Sequence, residues 1–357
     1  MPVPEIILAH DYLLQLGGAE RVVAEWAAGF GSRPVVTLAY RPDSTFDGFR
    51  QLDVQASIPH ALAHRVEWML PMLPSIAART RVSGGDIALV SSSGWAHRFQ
   101  FEMPHVVYAH SPARWLYAAE DYRLQLGPLR RAGLWMSAPL LRHGDRDAMR
   151  RASGVVSNSI VTRDRMRSAY GLDSVVVNPP VEPVAREAHP PNRQLPDDFV
   201  VVVSRDRGYK NLSLAVAAAK LAQVPIVIVG HGSAALDDPE NGVHGLGRVT
   251  DAELCWVYRR AAVIIGAGRE DFGLTIVEAS LEGTPAATIA SGGYLETVRP
   301  GVNGYHAASA TPEALATAIL QAQALDPEAC REWGRRFSRD AHLARLGKVL
   351  EEVVQRA

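Results

Sequence analysis

Cysteine and lysine are the scarce residues of this 357-residue chain. The two cysteines, Cys255 and Cys330, lie far apart, and neither belongs to a CxxC or other metal-ligand spacing. That excludes a disulfide framework and a zinc site and fits a reducing cytoplasm. Lysine occurs only at Lys210, Lys220 and Lys348, so arginine carries nearly all the positive charge. No stretch approaches the roughly 20 apolar residues of a membrane span. The chain runs straight into a strand-like segment at Glu5-Ile-Ile-Leu-Ala9, without a basic region followed by a long apolar one, so no signal peptide is expected. A GxGxxG fingerprint is absent, which disfavours an ordinary dinucleotide site. No repeat at a solenoid period is visible. Net charge is −1, which gives no strong pull toward nucleic acid. The expected location is the cytoplasm, with a peripheral place at the inner membrane face left open.

What is present is an alternation of short apolar runs and helical patterns. At 47% hydrophobic content, the chain suffices for two domains with separate cores. Residues 6–9, 35–39, 87–90, 105–109 and 154–156 read as buried parallel strands, with helical patterns at 19–28 and 161–170. Residues 59–82 read as helical, dotted with arginine and interrupted by Pro71 and Pro74, and an arginine-rich helical stretch follows at 129–151. A proline-rich connection, Asn178-Pro-Pro-Val-Glu-Pro183 and then His189-Pro-Pro-Asn-Arg-Gln-Leu-Pro196, supports neither a helix nor an inner strand. The alternation then restarts, with strands at 199–204, 226–229, 262–265 and 286–289 and helices at 211–221, 251–260 and 273–282. Thr250-Asp251-Ala-Glu253 supplies a capping signal. From Pro312 the tail is helical in three pieces. Charge is mildly uneven: residues 1–175 hold 19 basic and 16 acidic residues, the remainder 18 and 22. The reading is two doubly wound α/β domains in tandem, residues 1–178 and 197–338, with 339–357 as a terminal helix. Such sheets bind ligands at the carboxyl ends of their strands.

The most specific feature is Glu270-Asp-Phe-Gly-Leu-Thr-Ile-Val-Glu278, which follows a predicted strand and a glycine turn, Gly266-Ala-Gly268. A helix beginning near Gly273 presents unpaired N–H groups and its positive dipole end, where a diphosphate or sugar hydroxyl docks readily. Both glutamates can face one ligand and accept from two separate diols. Taken alone, Glu270 reads equally well as a helix cap and Glu278 as a solvated residue. Gly17-Gly18, between a strand and a helix, allows positive φ and close backbone approach to a ligand, or simply a tight turn. Gly230-His-Gly232 follows another strand and reads as a turn or a diphosphate contact.

The 270–278 segment resembles the Glu-x7-Glu motif of family 4 retaining glycosyltransferases, which have the two-Rossmann-domain GT-B fold. Gly17-Gly18-Ala-Glu-Arg21 resembles that family's glycine loop, and Ser204-Arg-Asp-Arg-Gly-Tyr-Lys210-Asn211 its Arg-x4-Lys phosphate-binding segment. Ser157-Asn158-Ser159, Asn178-Pro-Pro-Val-Glu182 and Ser291-Gly-Gly-Tyr-Leu-Glu296 fit further landmarks. The resemblance covers nearly the whole chain and looks closest to enzymes adding mannose or related sugars to bacterial surface glycans or lipid-linked oligosaccharides.

That resemblance implies two domains facing a cleft, with the terminal helix packing back on the N-terminal one. It implies that Glu270 binds the donor sugar's hydroxyls and that Phe272, Gly273, Leu274 and Thr275 offer backbone N–H groups. Glu278 would take the ribose hydroxyls. Arg205 and Lys210 would hold the diphosphate, Arg248 and Val249 would meet the nucleobase through main-chain atoms, and His110 would reach toward the donor sugar. Asp11, Arg114 and Tyr117 are candidates for the acceptor. Cleaving a sugar–diphosphate bond builds negative charge that something must stabilise. Many sugar transferases use a metal held by Asp-x-Asp. The one such spacing, Asp145-Arg-Asp147, sits in an arginine-rich helical pattern and reads as a solvated helix face. Neither metal nor cofactor is expected, and Arg205, Lys210 and a helix N-terminus take that role.

The partners implied are a nucleotide-diphosphate sugar, GDP-mannose ahead of UDP-sugars, and a glycan, lipid-linked or small-molecule acceptor. Arg65, Arg79 and Arg81 near Trp68, Met69 and Leu70, and Arg130 and Arg131 near Leu134 and Trp135, read as core-packed helices with solvated outer faces, or as contacts to anionic lipid. Rival functions are a hydrolase, phosphorylase or epimerase on the same fold, and a sugar-nucleotide-binding protein without catalysis. Oligomeric state is not encoded in any of these features.

Overall fold

The computed structural model describes residues 4–31, 34–117, 128–203 and 211–356. The chain divides into two compact units: Met1–Pro180 with Arg339–Ala357, and Val181–Ser338.

Unit 1 holds a parallel sheet of β1 (Ile6–Leu13), β2 (Val35–Tyr40), β3 (Val54–Ala56), β5 (Ile87–Ser92), β7 (His105–Ala109), β8 (Gly154–Ser157) and β9 (Val175–Val176), in the order β3-β2-β1-β5-β7-β8-β9. A separate parallel pair joins β4 (Arg81–Val82) to β6 (Gln100–Phe101). β5 and β7 are buried along their whole length, because helices cover both faces of a parallel sheet. Two apolar clusters flank the sheet. One includes Ile7, Val36, Val90 and Val107, the other Leu8, Val22, Trp26 and Leu89.

Unit 2 repeats the plan with β10 (Val200–Val203), β11 (Ile226–Val229), β12 (Val243–Gly247), β13 (Val263–Gly266), β14 (Ala286–Ile289) and β15 (Gly304–Ala307), parallel in the order β12-β11-β10-β13-β14-β15. In both sheets the unit's first strand lies inside, with its successors to one side and later strands to the other. The switch points therefore fall between β1 and β5 and between β10 and β13. The capping box at Thr250 and Glu253 forms, starting the helix Asp251–Arg260.

Residues 59–82 do not form the helix their pattern suggests. They break into the helix His60–Ala63, a 3-10 turn Val66–Met69 and the helix Leu73–Ala77, because Pro71 and Pro74 remove donors that a continuous helix requires. One face of this stretch packs in the core, through Ala63, Val66, Leu73 and Ala77, as the core-packed reading has it, but its outer face exposes large apolar side chains. Trp68 is 79% exposed, Leu70 51% and Met72 59%. Of the second arginine-rich stretch, the helix Pro128–Arg150 is described, while the side chains of Arg130, Arg131, Leu134 and Trp135 lie outside the description. Among the described residues no helix is long and apolar enough to cross a membrane.

The terminal helix Arg339–Arg356 belongs to unit 1. Leu346, Leu350 and Val353 enter its core, and Arg339 pairs with Glu25. Gly29 allows the close approach: a Cβ there would come 2.1 Å from Leu343 Cδ1. His342 locks the contact. Trp26 Nε1 donates to His342 Nε2 at 2.8 Å, so the imidazole carries its proton on Nδ1, which donates to the Asn178 carbonyl at 2.7 Å. Burial pushes the His342 pKa down to about 4, so the ring is neutral in the folded state. An unfolded histidine, near 6.5, binds a proton that the folded one refuses. The stabilisation is complete above pH 6.5 and is lost as pH falls toward 4. Urea unfolding at pH 7 and pH 5 should therefore show unit 1 weaker at pH 5. His342→Gln, which keeps both hydrogen bonds but cannot titrate there, should reduce that difference, leaving the share that His105 and His110 contribute.

A histidine relay and a glycine-locked helix start

At the switch point of unit 1, β1 and β5 run in register with His10 opposite Ser91, and β7 lies beside β5 and ends just before His110. These three strand ends bring their polar side chains together. His10 Nδ1 lies 2.9 Å from Ser91 Oγ, and Ser91 Oγ lies 2.8 Å from His110 Nε2. A hydroxyl has one proton to give, so with both rings neutral it donates to one ring and accepts from the other. The tautomers of His10 and His110 are thereby coupled. Burial, with His10 and His342 nearby, pushes the His110 pKa down to about 3, which keeps its ring uncharged. Its backbone is pinned on both sides: His110 N–H donates to the Ser92 carbonyl at 3.0 Å, and Thr162 Oγ1 donates to the His110 carbonyl at 3.2 Å.

Three expectations for this unit are corrected. Asp11 is buried, and its carboxylate accepts from the backbone N–H groups of Ser93, Trp95 and Ala96 at 2.6–2.7 Å and from Ser93 Oγ at 3.2 Å. Four donors engage the side chain proposed for the acceptor, so Asp11 instead organises the turn after β5. Tyr117 donates its hydroxyl to Asp145 at 2.9 Å, which removes that group from acceptor binding. Asp145 is wholly buried, not solvated, because His97 Nε2 at 2.9 Å and Tyr117 satisfy its oxygens. Sequence periodicity could not reveal these partners, which come from other elements.

Arg114 opens the helix Arg114–Tyr117, and its side chain lies outside the description. Gly17 and Gly18 do not use positive φ. Gly17 caps the helix Gly18–Phe30 at φ −111°, and a Cβ there would sit 2.2 Å from Glu20 Oε2. The glycine makes room for a buried carboxylate.

In unit 2 the site segment follows β13 and begins the helix Leu274–Leu281, with Gly273 as its cap at φ +94°. Three glycines outside the segment shape it. Gly293 N–H donates to the Glu270 carbonyl at 2.8 Å. A Cβ on Gly292 would meet that carbonyl oxygen at 2.4 Å, and one on Gly293 would meet Phe272 Cα at 2.2 Å. The ring of Tyr294 lies over Gly266 and Gly273, where added Cβ atoms would fall 2.8 and 3.1 Å from it. Backbone thus packs on backbone, and side chains are excluded. Phe272 is buried in a cluster with Val181, Val277 and Phe337, its ring 5.5 Å from that of Phe337. Leu274 packs on the same cluster, and Thr275 and Glu270 are half-buried. Glu278 is nearly buried and accepts from Tyr258 Oη at 3.0 Å. Tyr258 and Tyr294 are the residues that motif reading missed. Neither type is diagnostic, and both lie at a distance in sequence from what they touch.

Arg248 is exposed directly after β12, and Val249 packs on the unit's core. Gly230 and Gly232 after β11 both take positive φ, at 136° and 88°. Arg205 and Lys210 lie outside the described residues, in the segment between β10 and the helix Leu212–Leu221.

Comparison with known proteins assigns these two units. Residues 16–184 match the family described as Glycosyltransferase Family 4, and residues 185–338 match Glycosyl transferases group 1. A D-inositol 3-phosphate glycosyltransferase of Mycolicibacterium gilvum is 38% identical over 125 residues, which is 31% of this chain and 28% of that relative. Among solved structures, HepE of Anabaena in complex with UDP and glucose superposes with a TM-score of 0.67 at 18% identity, covering 98% of this chain and 100% of that one. Sucrose-phosphate synthase of Thermosynechococcus elongatus gives 0.63 at 19% identity, covering 98% and 100%. The architecture is GT-B.

The Asp11 geometry carries a consequence for stability. Asp11→Asn leaves one oxygen where two accept and turns an amide N–H toward backbone donors. It should destabilise unit 1 by about 3 kcal/mol, the scale of hydrogen bonds to a charged acceptor. Urea unfolding of the two proteins side by side measures the difference.

Proposed function

We infer that this chain, which belongs to the glycosyltransferases through a Family 4 N-terminal unit and a group 1 C-terminal unit, moves a sugar from a nucleoside-diphosphate sugar to a glycan, lipid-linked or small-molecule acceptor. The observation that carries this reading is the backbone of residues 270–273. The Gly292-Gly293 turn holds it, the Phe272 side chain faces away into the core, and a helix N-terminus follows. Main-chain N–H groups are thereby left as the natural contacts for a sugar and its diphosphate.

In this proposal the donor site belongs to unit 2. Glu270 receives the sugar's hydroxyls and Glu278, held by Tyr258, the ribose hydroxyls. Phe272, Gly273, Leu274 and Thr275 contribute N–H groups, and the motif resemblance assigns Gly17 and Gly18 to donor binding as well. Arg248 and Val249 present main-chain atoms to the base. Arg205 and Lys210 take the charge that grows on the leaving diphosphate, in place of a metal. The reaction retains configuration: the acceptor oxygen attacks on the face from which the diphosphate departs, and a phosphate oxygen takes the acceptor's proton. The motif resemblance puts GDP-mannose forward as donor, whereas HepE of Anabaena, whose complexes contain UDP and UDP-glucose, supports a UDP-sugar. A thermal-shift series with GDP, UDP, ADP and dTDP decides between them, since the nucleotide that binds the native state raises its melting point.

The acceptor side belongs to unit 1. The motif resemblance assigns His110 to the donor sugar and leaves Arg114 as a candidate for the acceptor. Trp68, Leu70 and Met72, exposed in the same stretch of chain as the exposed Arg65, Arg79 and Arg81, support contact with an anionic membrane surface and so a lipid-linked acceptor.

Two measurements test the chemistry. Lys210→Ala should lower the transfer rate by orders of magnitude while the circular dichroism spectrum stays unchanged, and near-normal turnover would sink the assignment. Ser91→Ala should uncouple His110 from His10. Transfer should then fall up to about tenfold, the scale of one misdirected hydrogen bond. Because His110 is neutral across the physiological range, the fall should be the same at every pH there, with circular dichroism unchanged.

A further inference from the structure

The amino edge of unit 1's sheet carries a set of residues that sugar transfer leaves unused. His105 is the first residue of β7 and His110 follows its last, so the two edges lie about 16 Å apart at the usual rise of a strand. At the amino edge is a groove of about 800 Å3, whose lining includes Arg98, Phe101, Glu102, His105, Arg151 and Ser153.

Among the described residues, four buried polar side-chain atoms have no hydrogen-bond partner, and two of them belong to this groove: Arg98 Nη1 and His105 Nε2. Neither side chain is loosely placed. His105 is 8% exposed, and its ring stacks on that of Phe101 with centroids 4.2 Å apart and planes 17° from parallel. The guanidinium of Arg98 lies over the Trp95 ring at 5.4 Å and against Gly144, where a Cβ would come within 3.2 Å of Nη2. Gly144 keeps the helix Pro128–Arg150 open for it. Asp145, the carboxylate that acts on Arg98 through space, is already engaged by His97 and Tyr117. Glu102, exposed on the lining, is the groove's own carboxylate and faces two guanidinium groups. The lining itself thus carries two guanidinium groups and one carboxylate. Burial and the neighbouring Arg151 and His97 push the His105 pKa down to about 4, so its ring is neutral at physiological pH and offers one N–H.

We propose that this groove binds a phosphate-type oxyanion, held by the guanidinium groups of Arg98 and Arg151 and by a hydrogen bond from His105 Nε2. The planar fork of arginine matches the oxygens of a phosphate, and a charge-assisted bond supplies the acceptor that both stranded donors lack. The site is distinct from the donor site, which lies in unit 2, and from His110 at the opposite edge of the sheet. Free phosphate and the phosphomonoester headgroup of a lipid share this chemistry.

Histidine side-chain 1H–15N spectra of the full chain, with the His105 signal identified by its loss in His105→Gln, test the site directly. Titration with inorganic phosphate at constant ionic strength should shift the His105 ring signals saturably. Arg151→Ala, at an exposed position, should weaken that response at least tenfold while leaving circular dichroism and sugar transfer unchanged, and Arg98→Gln should abolish it. A response to vesicles containing phosphatidic acid but not to free phosphate, lost in the same variants, would support the site with a lipid as its source. Equal shifts with chloride, a response indifferent to Arg151→Ala, or no response to phosphate or vesicles would overturn the proposal. Because the readout is His105 itself, it stands or falls separately from the transferase reading.

Discussion

Parallel strands with crossovers on both faces impose one constraint from which the rest of this structure follows. Where strand order reverses, the connections after two neighbouring strands leave toward opposite faces, and the carboxyl ends between them stay uncovered. Each unit has one such place, between β1 and β5 and between β10 and β13. A buried all-parallel sheet has no room for unpartnered polar groups along its strands, which explains the apolar runs of β5, β7, β10 and β13. Polar residues collect at the strand ends. His10, Ser91 and His110 meet because their strands are neighbours, and the Glu270 segment begins where β13 stops.

Local pattern made the inner strands and the two-unit plan legible, because inner parallel strands are continuously apolar and the proline-rich connection forbids regular structure, whereas the edge strands β3, β9, β12 and β15, short or mixed in polarity, were not read. The helix start at Gly273 was legible for the same kind of reason, since a strand, a glycine turn and an apolar helical pattern succeed one another. What holds that start was not. Gly292 and Gly293 are ordinary turn residues in sequence, and their need to be glycine arises only from the backbone of Glu270 and Phe272 lying against them. Asp11 and Asp145 failed in the same way. A carboxylate at a strand end or in an arginine-rich helix reads as available, and only tertiary neighbours consume its oxygens.

The two misread aspartates share a physical cause with the histidines. Unit 1 buries several ionisable groups, and burial is tolerable only when each is neutral or fully partnered. His342 is neutral and bonded at both nitrogens, while Asp145 is ionised and held by His97 and Tyr117, which keeps its pKa low against the opposing effect of desolvation. Satisfied groups of this kind fix a unique arrangement of elements and carry no chemistry. The contrast with Arg98 Nη1 and His105 Nε2 is therefore informative, because the same interior that satisfies its other buried charges leaves these two donors unanswered.

Neutrality also bears on what His110 can do. A charged imidazole beside a departing diphosphate would add electrostatic attraction, but its burial and its neighbours exclude that form across the physiological range. What remains to a neutral ring is a directed hydrogen bond, and its direction is set by which nitrogen bears the proton. Ser91 makes that choice jointly for His10 and His110, so the polarity His110 presents at the strand end is a property of three residues on three strands. The sheet's register, through the pairing of His10 with Ser91, thus sets the relay itself: a slip of one residue between β1 and β5 would turn one partner to the other face and dissolve it.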